Sequence, residues 1–241
     1  MSQTQLIEPY PHTAKYTVWK GFLDMLPLSI AVLPWGVLCG SLAIDIGLTP
    51  WQAQCMSLFV FAGAAQLASF TLLANGSPFI TIYSSTTVIC SRHLLYSAVM
   101  RDHVRQMPWF TRSVFAFFLT DEMFVITTAY LEKHAQFNLT YSLFSGFSFY
   151  VFWNIATCVG IFAGQHIQGL ENLGLEFAVA ATFLALVIPT IRSHATACAV
   201  LASGAAVLFL EPLFQDLTMI IATLIGMFVG YLMHQEEAIN E

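Results

Sequence analysis

Among the polar side chains inside the long apolar runs of this sequence, six have the most chemistry to offer. Asp121 and Glu122 are adjacent within the run 113–131, Arg92, His93 and Tyr96 lie deep in the run 78–100, and Gln66 follows Phe61-Ala62-Gly63-Ala64-Ala65. A charge at the centre of a bilayer costs at least about 2.5–3.5 kcal/mol on insertion scales, which makes intramembrane charges informative. Desolvation favours the neutral carboxyl, and this is how a membrane carboxylate becomes a proton carrier. Asp121 and Glu122 are therefore candidates for proton coupling, and His93 joins them because imidazole titrates near neutral pH. Adjacent helical positions point about 100° apart. One carboxylate is thus expected to face a cavity while the other pairs or stays protonated. Arg92 keeps its charge in any protein and needs a carboxylate, carbonyls or an anionic substrate, with Asp121 or Glu122 as natural partner. Tyr96 falls on the same helix face as Arg92. Gln66 offers donors and an acceptor beside a small-residue stretch where backbones approach closely, so it and Gly63 are candidate substrate contacts. The plainer readings are a capping carboxylate and a packed histidine.

No HExxH, P-loop, GxSxG or Cys/His metal spacing is present, so no catalytic residue, metal ligand or cofactor motif is assigned. An intramembrane enzyme acting on a lipid-linked substrate stays open as a rival, because intramembrane catalytic residues need no long motif. So does a subunit that only stabilises a partner. A pore has less support, since no repeated filter or ring of charges is visible.

The elements that must carry these residues are membrane helices. The chain is 57% hydrophobic and only 9% charged, against about 25% charged for a soluble domain. A spanning helix needs about 20 apolar residues. Candidate segments run near 21–46, 52–74, 78–100, 113–131, 141–165, 174–191, 195–210 and 216–233. Gly47-Leu48-Thr49-Pro50, Asn75-Gly76-Ser77-Pro78 and Glu211-Pro212 serve as links. The runs do not alternate as barrel strands would. The expectation is an all-α, polytopic helical bundle of about seven or eight hydrophobic segments. Residues 1–20 form a polar cytoplasmic tail, 21–233 a single transmembrane transport domain and 234–241 a polar tail. The N-terminus lacks the apolar core of a signal peptide. Cys39, Cys55, Cys90, Cys158 and Cys198 all lie in apolar stretches and read as small buried side chains. Asp24, Asp45 and Glu176 read as solvated span ends. Trp19, Trp51 and Trp109 mark span ends, whereas Trp35 and Trp153 lie inside spans and read as packing residues.

Orientation poses a problem. Lys15 and Lys20 precede the first segment, and Arg101, Arg105 and Arg112 follow the third. Both groups belong in the cytoplasm by the positive-inside rule, but three full crossings would separate them. One of the first three segments is therefore expected to be broken or re-entrant. The candidates are the first, with Pro27 and Pro34, and the second, with its small-residue run. An internal repeat is also suggested. Gly36 and Gly40 match Gly160 and Gly164 as GxxxG pairs, Phe61–Ala65 matches Phe177–Ala181, and Cys90–His93 matches Ile191–His194. Transporters carry such repeats, with sites at broken helices near the midplane.

Taken in order, these residues resemble the AzlC/BrnF family, the large subunit of bacterial branched-chain amino-acid exporters. The signs are Leu26-Pro27, Pro34, Gly40, Phe61–Gln66, Arg92-His93-Leu94-Leu95-Tyr96, Leu119-Thr120-Asp121-Glu122, Trp153 with Gly160 and Gly164, and Gly174-Leu175-Glu176-Phe177. The family usually has Asn or Asp where Cys90 stands and often glycine where Ser97 stands. The resemblance implies a multi-pass protein of the bacterial inner membrane and a small AzlD/BrnE-like membrane subunit as partner. It implies export of valine, leucine, isoleucine and in some members methionine, driven by protons. Another small amino acid is the alternative substrate. On that reading Gly63, Gln66, Arg92 and Tyr96 contact substrate, and Asp121, Glu122 and His93 serve proton coupling.

Overall fold

The computed structural model describes residues 14–166, 184, 188, 191, 193–214 and 218–240. Among these the regular structure is helical throughout. In chain order the helices are α1 (Ala14–Ala31), α2 (Leu33–Asp45), α3 (Pro50–Phe59), α4 (Gly63–Ala74), α5 (Phe79–Cys90) and α6 (Arg92–Val104). They continue as α7 (Trp109–Phe118), α8 (Asp121–His134), α9 (Leu139–His166), α10 (His194–Phe214) and α11 (Thr218–Asn240). Helix therefore reaches into both segments read from sequence as tails. The sixth apolar segment falls largely outside the described residues, as do Glu176 and Phe177–Ala181. Local sequence explains several ends. Pro50 opens α3 behind a reciprocal cap between Thr49 and Gln52. Thr120 accepts the Met123 N–H to start α8, and Ala135 closes that helix in the left-handed region at φ 53°. Pro34 occupies the first turn of α2, where a missing N–H is harmless. Pro212, expected to end its helix, lies in the last turn of α10 instead.

Helix α9 is the axis. Its 28 residues extend about 42 Å at 1.5 Å per residue, more than the roughly 30 Å hydrocarbon layer. α9 and α10 are each long and apolar enough to cross alone, whereas α1–α2 and α7–α8 qualify only as bent pairs, with bends of 54° and 111°. Large apolar side chains such as Phe79, Trp109 and Phe209 are mostly exposed, as lipid-facing residues should be. Among the cysteines only Cys39 is buried, and Cys158 is exposed. The expectation that all five are buried fails because lipid, unlike water, leaves an apolar thiol free to sit on the surface.

The α1–α2 pair runs alongside α9 in the same direction. A Cβ on Gly21 would meet the Tyr141 carbonyl at 2.7 Å, and one on Gly36 would meet Ala156 Cβ at 2.6 Å. Further along, Gly40 lies against the Thr157 carbonyl, Gly160 against the Val37 carbonyl and Gly164 against Ser41. The two GxxxG pairs thus face each other across one interface and let the backbones touch. In a membrane, where apolar contact has no hydrophobic drive, such close packing is what holds helices together.

Two segments do not cross. α3 follows α9 inward, with Gln54 bonded to Asn154 at 2.9 Å and the Tyr150 hydroxyl donating to the Leu58 carbonyl at 3.1 Å. The chain turns at Phe61, and α4 returns, placing Gln66 Nε2 2.9 Å from Ser57 Oγ. α7 enters from the opposite end. Phe115 packs on Phe137 at 5.9 Å, Phe118 reaches Phe147 at 6.1 Å, and α8 then returns to stack Tyr130 on Tyr141 at 4.0 Å. The fourth segment, expected as one helix, is a hairpin because Thr120 caps a new helix in its middle. Between the hairpins, α5 and α6 run end to end around Ser91, from the loop beside α4 to His103, whose ring stacks on Phe137. The orientation problem disappears. With α3–α4 turning back, Lys15, Lys20, Arg101, Arg105, Arg112 and Lys133 share one end of the bundle, six of the eight Lys and Arg residues. α10 and α11 form an antiparallel pair in which Gly226 and Gly230 meet Ser203 and Ala199.

The α2–α9 contact sets the first prediction. Gly160→Leu or Gly40→Leu should cost about 1–3 kcal/mol or more by overpacking and show as lost monodisperse protein after detergent extraction. Gly204→Ala, where a Cβ meets nothing within 4 Å, should leave the melting temperature in place. Wild-type thermal stability of Gly160→Leu would contradict the interface.

Candidate functional site

The helix breaks converge. Val32 separates α1 from α2, Phe61 and Ala62 form the tip of α3–α4, Ser91 separates α5 from α6, and Leu119 and Thr120 form the tip of α7–α8. Residues at all of them, Val32, Phe61, Ala62, Gly63, Arg92, His93, Thr120, Asp121 and Glu122, line one cavity together with Trp35, Phe149 and Trp153. The tips meet there, with Phe61 stacked on Phe117 at 5.9 Å and packed edge-on to Tyr150 at 4.9 Å. Phe61 itself holds φ 42°, a conformation that a bulky L-residue adopts at a cost of about 1–3 kcal/mol.

The charges in the wall form a network. Arg92 Nη1 lies 2.9 Å from Asp121 Oδ2, and the Tyr96 hydroxyl donates to Asp121 Oδ1 at 2.7 Å. Both oxygens of Asp121 are therefore engaged, from one face of α6. The Tyr96 ring stacks on Phe124 at 4.6 Å. His93 Nδ1 lies 3.0 Å from the Cys90 carbonyl. A carbonyl only accepts, so Nδ1 carries the hydrogen and Nε2 is left as the exchangeable nitrogen. That contact uses the backbone of residue 90, which makes it indifferent to the cysteine side chain there. Glu122 is buried, with 6% of its surface exposed. It and Asp121 occupy the first turn of α8, where the helix dipole favours negative charge. Opposite, α4 begins at Gly63 with no side-chain cap from Ala62, so its first-turn N–H groups present a positive helix end.

Of the residues singled out from sequence, Gly63, Arg92, His93, Asp121 and Glu122 line this one cavity, and Tyr96 joins it through Asp121. The two carboxylates were expected to point apart. Both line the cavity, because it sits off the end of α8 rather than along its flank. Gln66 is not in the lining. It is fully buried in a separate polar cluster with Ser57 and Thr157, whose hydroxyls lie 2.9 Å apart. Pro34 and the four glycines act at the breaks and at the α2–α9 contact, and Pro27 lies inside α1. Sequence reasoning missed the apolar wall of Val32, Phe61 and Phe149, and it favoured packing over a site role for Trp35 and Trp153. They do pack, edge to face at 6.1 Å, but both also line the cavity. The Trp153 indole N–H has no partner among the described residues and is buried. A tryptophan remote from both membrane interfaces was the available signal.

The cavity measures about 30 Å³, room for one water. A space of that size does not admit an amino acid, so this is a contracted form of the site. Its wall holds an arginine and a helix N-terminus on one side, two carboxylates on another, and aromatic and aliphatic surface between. That set matches a small zwitterion with an apolar side chain and a group that exchanges protons. Among the described residues no three His, Cys, Asp or Glu side chains are grouped to hold a metal ion.

Comparison with known proteins agrees with the sequence resemblance. The family model described as AzlC protein matches residues 27–167, more than half of the chain. The inner membrane protein YgaZ of Escherichia coli is 27% identical over 195 residues, covering 79% of this chain and 80% of that protein. An uncharacterized membrane protein of Archaeoglobus fulgidus is 29% identical over 194 residues, covering 78% and 81%. No solved structure matches significantly. The chain belongs to the AzlC family and is a membrane protein.

The Arg92–Asp121 pair should behave as a unit. Arg92→Gln or Asp121→Asn alone should lower stability by about 1.5–3 kcal/mol, the range for charge-assisted hydrogen bonds, and the double variant by less than their sum. Thermal unfolding in detergent measures this, and additive losses would show that the pair is not coupled.

Proposed function

We propose, with AzlC-family membership as the premise, that this chain is the large subunit of a branched-chain amino-acid exporter. It would work in a bacterial inner membrane by proton antiport, together with a small AzlD-like membrane subunit. The observation that carries the reading is the convergence of four helix breaks on one small cavity lined by Arg92, Asp121, Glu122 and apolar side chains. Transporters of several folds bind substrate at such interrupted helices, where half-helix N-termini face anionic groups.

The residues divide the work by charge. The substrate carboxylate sits between Arg92, the N-terminus of α4 and the Trp153 indole N–H. Its ammonium group meets Glu122, with Asp121 held by Arg92 and Tyr96 beside it. The side chain lies against Val32, Phe61 and Phe149, surfaces that select aliphatic groups but distinguish one methylene by only about 1–3 kcal/mol. Several branched-chain substrates would therefore share the site. The two hairpins enter from opposite ends and close tip to tip, so parting either one opens the cavity to one side. When the outer side is open, a proton on Glu122 replaces the ammonium group and the amino acid leaves. The protonated carrier closes, opens inward and releases the proton. One amino acid moves out for one proton moving in because the two cations compete for one carboxylate.

The decisive measurement is efflux of preloaded radiolabelled valine, leucine, isoleucine and methionine from cells expressing the chain, with and without its small partner and with a protonophore. Partner-dependent efflux that collapses with the protonophore is expected. No efflux of any of the four, with both subunits in the membrane, would overturn the substrate class. Glu122→Gln should uncouple transport from pH, and wild-type pH dependence in that variant would remove it from the coupling role. Trp153→Phe keeps the ring and drops one donor. It should raise KM by about fivefold to tenfold, the factor for a neutral hydrogen bond of about 1 kcal/mol, while changing membrane abundance little.

A further inference from the structure

Apart from Met123, the buried face of α8 is polar. Its buried residues are Glu122, Met123, Thr127, Tyr130 and His134. At 1.5 Å per residue, Tyr130 lies about 12 Å and His134 about 18 Å along the axis from Glu122. That distance runs from the cavity to the end of the bundle bearing Lys15, Lys20 and Lys133. The helices packed against α8 carry buried or half-buried polar groups of their own. α1 contributes Asp24 and the fully buried Ser29, and α9 contributes Tyr141, Ser145 and Ser148.

At the outer end the groups are joined. The Tyr141 hydroxyl donates to Asp24 Oδ2 at 2.7 Å, and Lys20 Nζ lies 3.0 Å from the same oxygen. Tyr141 stacks on Tyr130 at 4.0 Å, and Tyr130 packs on His134 at 4.3 Å. Asp24 keeps about a third of its side chain exposed and forms the mouth. Between mouth and cavity, Ser29 Oγ and Thr127 Oγ1 are buried with no partner among the described residues. Two orphaned hydroxyls deep in a helical bundle are costly unless water reaches them. Ser145 and Ser148 donate to carbonyls of their own helix, which leaves their oxygens able to accept from such water.

We propose that this seam between α1, α8 and α9 is the path by which a proton travels between Glu122 and the Lys15–Lys20 end of the bundle. The proton enters at Asp24, passes the Tyr141 hydroxyl and, through water, the Tyr130 hydroxyl, crosses water held by Thr127 and Ser29, and binds a Glu122 oxygen. Each oxygen on the way accepts one proton and releases another, so nothing else is consumed. The charged and titratable groups around the inner end are Asp121, Arg92, His93 and Tyr96. Those around the outer end are Lys20, Asp24, Tyr130, Tyr141, Glu132, Lys133 and His134. The second polar cluster, Gln66 with Ser57 and Thr157, has no titratable group and no place in the cavity wall. The α2–α9 interface is closed by backbone contact. The inference rests on Glu122 being the proton carrier, and its test separates the two ideas.

The test follows the Glu122 carboxyl by infrared difference spectroscopy after a rapid pH drop, on right-side-out and inverted membrane vesicles enriched in the protein. The Glu122 band is the one missing in Glu122→Gln. Thr127→Val, nearly isosteric, should slow protonation from the Lys15–Lys20 end about tenfold. That is the factor set on a rate by about 1.4 kcal/mol, one lost hydrogen bond. The titration midpoint and the rate from the other end should not move, Ser29→Ala should act likewise, and Thr127→Ser should restore the rate. Wild-type rates in Thr127→Val and Ser29→Ala, or equal slowing from both ends, would overturn the path while leaving Glu122 as the carrier. A Glu122 band that never titrates would overturn both.

Discussion

Lipid offers no hydrogen bonds, so a helix can be interrupted inside a membrane only where protein covers the freed backbone groups. This constraint organises the whole molecule. The chain interrupts its helices at Val32, Phe61–Ala62, Ser91 and Leu119–Thr120, and each interruption would be prohibitive on its own in the bilayer. Gathered around one cavity, they cover one another. The uninterrupted α9 provides the surface on which they gather. Its glycines let α2 come close enough to seal one side, and Phe149 and Trp153 supply the floor.

Once the breaks are gathered, the charges follow. A broken helix presents an end, and its dipole asks for a counter-charge. Acidic residues at the start of α8 answer that demand, whereas Arg92 at the start of α6 opposes it. Arg92 is tolerated because Asp121 lies 2.9 Å away and Tyr96 fixes the other carboxylate oxygen. With Asp121 neutralised in this way, Glu122 is the carboxylate of the pair whose charge a cation or a proton can answer. The division of labour between two adjacent acids comes from their partners rather than from their spacing.

Much of this was legible in the sequence. Composition forced a helical membrane bundle, intramembrane charge picked out Asp121, Glu122 and Arg92, and the side-by-side logic of basic residues required a segment that turns back. The structure makes that segment the second, at Phe61-Ala62, while the first bends but still crosses. What could not be read were the breaks at Ser91 and Leu119–Thr120. Neither has a proline or glycine, and hydropathy averages across them. Gln66 was singled out too, and the structure places it outside the cavity wall, bonded to Ser57. A buried amide is a good substrate contact and an equally good internal crosslink. The paired glycines were visible as similar motifs, and the structure adds that the two motifs touch.

The contracted state also carries the means of leaving it. Phe61 sits at the tip of one hairpin with a positive φ, a strain of about 1–3 kcal/mol that its ring contacts must offset. Those contacts reach Phe117 on the opposing hairpin and Phe149 and Tyr150 on α9. Among these ring contacts, the one with Phe117 joins the two tips. Parting the hairpins breaks that stack and lets the strain at Phe61 relax, so the loss is partly offset within the same residue. The long α9, packed by backbone contact against α2, has no comparable freedom. The two short hairpins enter from opposite ends of the bundle, and a cavity between their tips suits the alternating exposure proposed for Glu122.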